Sequence, residues 1–187
     1  DVLWLRGTKK EYHDLVSQMV KDGTLLKLNG EYEECYLHRS HQNDVARSEA
    51  RTFICTELKE QVGPLNNWMH VQKAKGVYDS VFKGCMASRT MFVIPYLMGP
   101  PRSDYSQVGI EVTDSPYVAL SMMVMTRVGD IALEHLRGSG FVKGIHSRGS
   151  LDPENRYIMH IPGEKLILSI NSNYGGNALL GKKCHAL

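Results

Sequence analysis

The sequence predicts an α/β fold, a mixed β-sheet flanked by helices, in one domain spanning residues 1–187. Three observations carry the prediction. Gln107–Thr113 alternates through Val108, Ile110 and Val112, the two-residue period of a half-buried strand. Tyr12, Leu15, Val16 and Met19 recur at helical spacing. Strand-like segments come first as a hairpin and later alternate with helical ones, a pattern that needs a mixed sheet with helices packed on it. The composition agrees: 187 residues suit one domain, and 42% apolar with 22% charged residues is ordinary for a folded chain. Disordered, collagen-like and low-complexity readings are therefore excluded.

Each element has a local reason. Thr8-Lys9-Lys10-Glu11 fits a capping box that opens a helix, and Gly23 closes it. Asn29-Gly30, between Leu25–Leu28 and Tyr32–Leu37, reads as a hairpin turn. Arg51–Thr56 reads as a strand and Val71–Phe82 as a helix. Thr90–Met98 reads as a strand, and Pro95 within it, lacking an N–H, favours an edge or bulged position. Asp114-Ser115-Pro116 opens a second long helix through a capping side chain and an early proline. Its Met-rich continuation, Tyr117–Arg127, suits core filling. Ile131–Leu136 reads as a short helix, and Phe141–His146, Arg156–Ile161 and Lys165–Ile170 as strands. Ser147–Glu154 is the most loop-like stretch, and no repeat or composition shift marks a second domain.

Charge and cysteine content narrow the function classes. Lys and Arg number 22 against 20 Asp and Glu, a net charge of +2 too balanced for a non-specific nucleic-acid binder. The longest apolar runs, Met91–Met98 and Leu120–Met125, fall far short of the ~18 residues of a membrane span, and no signal peptide is evident. Cys35, Cys55, Cys85 and Cys184 are widely spaced, which suits a reducing compartment rather than a disulfide scaffold. The start at Asp1 rather than Met, and an end at Gly181–Leu187 that reads as a helix cut in its first turns without a C-cap, point to a piece of a longer polypeptide.

Three constellations could carry chemistry. From Leu166 to Lys183 a strand runs into the glycines Gly175 and Gly176 and then into an apparent helix, a junction whose amides suit an anion. Gly176-x-x-x-x-Gly181-Lys182 matches most of a P-loop, but Lys183 stands where a magnesium-binding hydroxyl is needed, which argues against a nucleotide loop. Arg47, in Asp44-Val45-Ala46-Arg47, can clamp a carboxylate or phosphate in bidentate fashion, or simply form a surface ion pair. Cys35-x-x-His38-x-x-His41 has zinc-compatible spacing but no matching second pair, which argues against zinc, and Cys35 faces the core if Cys35–Leu37 is a strand. His135, His146 and His160 have no recognisable catalytic partner motif.

Four stretches carry a family resemblance. They are Asp44–Arg47, Arg89-Thr90-Met91-Phe92-Val93-Ile94-Pro95-Tyr96-Leu97-Met98-Gly99-Pro100, Val108–Val118 and Tyr174-Gly175-Gly176-Asn177 through Gly181-Lys182-Lys183-Cys184. In this order they resemble the N-terminal part of GTP-dependent phosphoenolpyruvate carboxykinase. The resemblance spans nearly the whole chain, and implies the N-terminal domain fold of that enzyme, truncated before its nucleotide P-loop. It implies conversion of oxaloacetate and GTP to phosphoenolpyruvate, GDP and carbon dioxide, a lyase reaction of gluconeogenesis. It further implies manganese as a cofactor and magnesium with GTP, and a soluble monomer in the cytoplasm or the mitochondrion, with no nucleic-acid or membrane partner. GTP and GDP would bind through the C-terminal part beyond Leu187.

Residue by residue, the resemblance makes Arg47 a catalytic and substrate-binding arginine that holds the anionic groups. Tyr174 lies against the substrate carboxylate, and Gly175, Gly176 and Asn177 line it. Lys183 is implied as a manganese ligand and Lys182 as its catalytic neighbour beside the substrate. Metal and fixed cations suit an enolate, a developing anion. A lysine ligates metal only when neutral, so Lys183 would need a lowered pKa. Gly149–Asn155 is shorter than in familiar members, and His41-Gln42-Asn43 replaces the usual Asp-Pro before the arginine motif. The 187-residue chain by itself is expected to be inactive. The competing expectation is a non-catalytic anion-binding or regulatory paralogue.

Overall fold

The computed structural model describes residues 1–45, 48–136 and 140–173, and the backbone of Lys182–His185. In chain order the elements are β1 (Val2–Trp4), α1 (Lys9–Lys21), β2 (Leu25–Lys27), β3 (Tyr36–Arg39), β4 (Thr52–Thr56), β5 (Asn67–His70), α2 (Val71–Val81) and β6 (Met91–Met98). Then follow β7 (Gln107–Thr113), α3 (Pro116–Met125), β8 (Arg127–Val128), α4 (Asp130–Glu134), β9 (Val142–Ser147), β10 (Tyr157–Ile161), β11 (Leu166–Ile170) and β12 (Lys182–His185). Nine strands among the described residues form one mixed sheet in the order β1-β6-β7-β9-β11-β10-β4-β5, with β8 also on β6. A second, antiparallel sheet has the order β12-β3-β2.

Local chemistry explains most of these elements. Thr8 caps α1: its hydroxyl accepts the Glu11 N–H at 3.2 Å, and the Glu11 carboxylate accepts the Thr8 N–H at 2.8 Å. Ser115 caps α3 by accepting the Val118 N–H at 3.1 Å, with Pro116 in the first turn. The register places Ile94, Glu111, Gly144 and Ile167 in one row across the sheet, so Leu168 and Ile170 with Met159 occupy the opposite face. Helices α1 and α3 bury Tyr12, Leu15, Met19, Tyr117 and Leu120 against Phe92 and Ile94 on the first face. Helix α2 buries Val71 and Ala74 against Cys55, Met69, Met159, Leu168 and Ile170 on the other. The Met-rich segment divides: Met122 and Met123 pack on the core, whereas Met125 is exposed.

Four expectations are corrected. Pro95 lies in an interior strand, because β6 is flanked by β7 on one side and by β1, then β8, on the other. The Pro95 carbonyl accepts the Gly129 N–H at 2.9 Å on the β1/β8 side, so its missing N–H falls in the gap between those partners. Asn29-Gly30 does not form a two-residue turn. The β2–β3 hairpin closes with the Leu28 N–H on the Cys35 carbonyl, leaving a longer loop. Lys182–His185 is not the start of a helix but strand β12, antiparallel to β3, with Lys183 in register with His38. Strands β1 and β5 were not expected. Both are short edge strands, three and four residues long, paired on one side only and lacking a two-residue pattern.

Candidate functional site

Strands β7, β9 and β11 are adjacent and parallel, so their carboxyl ends, Thr113, Ser147 and Ile170, lie along one edge of the sheet. Ligands of open α/β sheets bind outside such ends. Here each apolar strand run gives way to buried polar residues: Thr113, Asp114 and Ser115 around the end of β7, His146 and Ser147 at the end of β9, and Ser169, Asn171 and Ser172 around the end of β11. Polar groups so buried need hydrogen bonds: Thr113 and Ser172 bond to His146, Ser147 to Asp114, and Asn171 to Ser150 and Asn155.

Asp114 is one hub. Its carboxylate accepts the Arg89 Nε–H at 2.8 Å, the Ser147 hydroxyl at 2.7 Å and the Arg148 N–H at 2.9 Å. His146 is a second. Its Nε2–H donates to the Ser172 carbonyl at 2.6 Å, and its Nδ1 lies 2.7 Å from the Thr113 hydroxyl, within hydrogen-bonding distance. Burial lowers the His146 pKa, opposed by that carbonyl and by Asp114 and Asp44, so the neutral form persists. A cleft of about 660 Å³ opens beside Asn171, bounded by Cys85, Arg89, Gly149, Ser150 and Asp152.

The same edge receives the polar stretch ahead of Arg47. Asp44 is fully buried, and its carboxylate accepts the Asn173 N–H at 2.7 Å. Ser172 donates its hydroxyl to the Val45 carbonyl at 2.7 Å. Arg156, at the start of β10, donates Nε–H to the Asn171 carbonyl at 2.9 Å and a terminal N–H to the Asn43 carbonyl. Burial lowers the Arg156 pKa, and Asp44 opposes that shift. Segments 43–45 and 171–173 are thereby held together although 129 residues separate Asp44 from Asn173.

The model of the phosphoenolpyruvate carboxykinase N-terminal domain family matches residues 1–187. The chain belongs to that family. Its similarity to named relatives is of one kind: 51% identity over 188 residues to a phosphoenolpyruvate carboxykinase (GTP) of Thermoplasma volcanium, covering 97% of this chain and 32% of the relative. A phosphoenolpyruvate carboxykinase (GTP) of Anaeromyxobacter sp. (strain K) is 47% identical, covering all of this chain and 32% of its own length. That of Neocallimastix frontalis is 46% identical over 201 residues, covering all of this chain and 33% of its own. The chain thus spans about a third of the length of the curated relatives it matches.

Most motif positions implied by the resemblance lie outside the described residues: Arg47, Tyr174, Gly175, Gly176 and Asn177. What is described is the chain on either side, Asp44-Val45 against Ser172-Asn173. Lys182 and Lys183 stand on β12, in register with Arg39 and His38. The residues that build this edge, Asp114, His146, Arg156 and Asn171, were missed as site residues. The available signal was a polar cluster directly after each apolar strand run.

The described residues do not gather a metal site: no three His, Cys, Asp or Glu among them could hold an ion. Of Cys35, His38 and His41, only His38 is a buried packing residue, and His41 is exposed. The His38 ring is buried, stacks on Tyr117 at 3.9 Å and donates Nδ1–H to the Thr24 carbonyl, while His41 Nδ1 accepts the Asn43 N–H. Manganese, if bound, would need ligands beyond Cys35, His38 and His41. No helix among the described residues is long and apolar enough to cross a membrane.

Proposed function

We propose that this chain is the substrate-binding part of a GTP-dependent phosphoenolpyruvate carboxykinase, acting in gluconeogenesis. One observation carries the reading: Asp44, three residues before Arg47, holds the N–H of Asn173, the residue before Tyr174. A dianionic substrate needs a cation and a set of converging amides, and these two segments are where the chain offers both. Arg47 takes the anionic groups of oxaloacetate, and Tyr174, Gly175, Gly176 and Asn177 take its carboxylate. Loss of carbon dioxide leaves the electron pair of the broken C–C bond on the enolate, whose oxygen then accepts the γ-phosphoryl group of GTP. Lys182 offsets the charge that develops there. Lys183 is the residue proposed to ligate manganese, which when bound stabilises the enolate as a Lewis acid. GTP, with magnesium, binds through the C-terminal part of the enzyme.

The test compares the polypeptide encoded by the whole open reading frame with the 187-residue chain. GTP-dependent formation of phosphoenolpyruvate from oxaloacetate is expected from the former and not from the latter. Arg47→Ala should lower kcat/KM about ten- to a hundredfold, the scale of one lost charge-assisted hydrogen-bonding group. No turnover by the whole polypeptide, or full turnover by Arg47→Ala, overturns the reading.

A further inference from the structure

We infer that Asp44 and Arg156 are positioning residues, a clasp that docks the segment leading into Arg47 onto the segment leading into Tyr174; the inference rests on the substrate-binding reading above. Residues 41–45 are irregular chain, whereas 171–173, also irregular, is anchored to β9, where the Ser147 carbonyl accepts the Asn171 N–H and His146 donates to the Ser172 carbonyl. What joins 43–45 to 171–173 is four bonds that run directly between them or through Arg156. Asp44 takes the Asn173 N–H, and Ser172 gives its hydroxyl to the Val45 carbonyl. Arg156 spans the two segments, with Nε on the Asn171 carbonyl and a terminal nitrogen on the Asn43 carbonyl.

The chemistry of the pair suits this task. A planar guanidinium offers donors in fixed, divergent directions, so one side chain can hold two carbonyls at a set distance. Lysine, a single compact ammonium, cannot hold that spacing. Asp44 supplies both the acceptor for Asn173 and a buried negative charge that supports the Arg156 guanidinium against its desolvation. Arg156 is itself steadied from outside the clasp, since its carbonyl accepts the Arg51 Nε–H at 2.9 Å and the Arg51 guanidinium lies 4.7 Å from the centre of the Tyr157 ring. From Val45 to Arg47 the tether is two residues, at most about 7 Å of chain, and from Asn173 to Tyr174 it is one. Any slack in the clasp is therefore passed directly to the groups that hold the substrate, where small misplacements are costly.

The experiment measures steady-state kinetics of the whole encoded polypeptide and its Asp44→Asn, Arg156→Lys and Ser172→Ala variants, with urea midpoints as a check on folding. Asp44→Asn keeps an acceptor for Asn173 and removes the charge. Ser172→Ala removes one tie without unpairing a buried charge, so it remains informative if either charge variant fails to fold. Expected are a rise in the oxaloacetate KM of about tenfold for the two charge variants and about threefold for Ser172→Ala, with the GTP KM within about twofold of wild type. A merely structural role would lower the amount of active enzyme and leave both KM values alone. An unchanged oxaloacetate KM in the folded variants overturns the clasp while leaving the carboxykinase reading intact. Absence of turnover in the wild type overturns that reading, and the clasp with it.

Discussion

Replacing Glu111 by Gln should make the domain more stable, by an amount that grows with pH. Glu111 stands on β7 in the row Ile94–Glu111–Gly144–Ile167, and its carboxyl lies directly over Gly144, where any Cβ would overlap it. Around it are Tyr117, Val118, Met122 and Met125 of α3, lining a cavity of about 260 Å³. Burial pushes this carboxyl from an ordinary 4.5 up to about 8. The native state therefore holds a proton that the unfolded chain releases, so the stabilisation present below pH 4.5 is lost as pH rises to 8.

At about 1.4 kcal/mol per tenfold in proton affinity, the gap between E111Q and wild type should widen by about 2.5 kcal/mol from pH 5 to 7. From pH 5 to 8.5 it should widen by about 4 kcal/mol. Burial lowers the pKa of His146 and His160, and both therefore cost stability as pH falls below 6.5. That loss is common to the two proteins and cancels in their difference. Urea denaturation followed by the fluorescence of Trp4 and Trp68 measures it. A gap constant within about 0.5 kcal/mol across that range would show that Glu111 ionises freely in the native state, and the reasoning would fail.

Three further substitutions test the local arguments. Thr8→Ala removes the cap of α1 and should cost about 1 kcal/mol, read from the urea midpoint. Gly129→Ala should cost more than about 3 kcal/mol or prevent folding, because φ is +97° and a Cβ would overlap the Arg6 carbonyl, which is backbone and cannot turn away. Gly76→Ala, in the exposed middle of α2 with nothing near the new methyl, should instead stabilise by about 0.5–1 kcal/mol. Equal effects at the two glycines would refute the steric account.

How much of this was legible in the sequence depends on how far apart the interacting residues are. Thr8 with Glu11, Ser115 with Val118, and the alternation Val108-Ile110-Val112 are decided within a few residues, so propensity and period alone placed α1, α3 and β7. Arg47 and the glycine junction running to Lys182 and Lys183 were legible as anion-binding chemistry, and the motif resemblance added Tyr174 and assigned each residue its role. Tertiary structure decided the rest. Whether Pro95 could sit inside a sheet turned on a gap between β1 and β8, and whether Lys182–His185 is helix or strand turned on the open edge of β3. Asp114 looked like one more capping residue. Its role as a buried hub exists only because β7 and β9 end side by side. The bond from Asp44 to Asn173 has the same origin. Burial energies and unpaired polar groups are properties of neighbours in space, and neighbours 129 residues apart are chosen by sheet order rather than by local sequence.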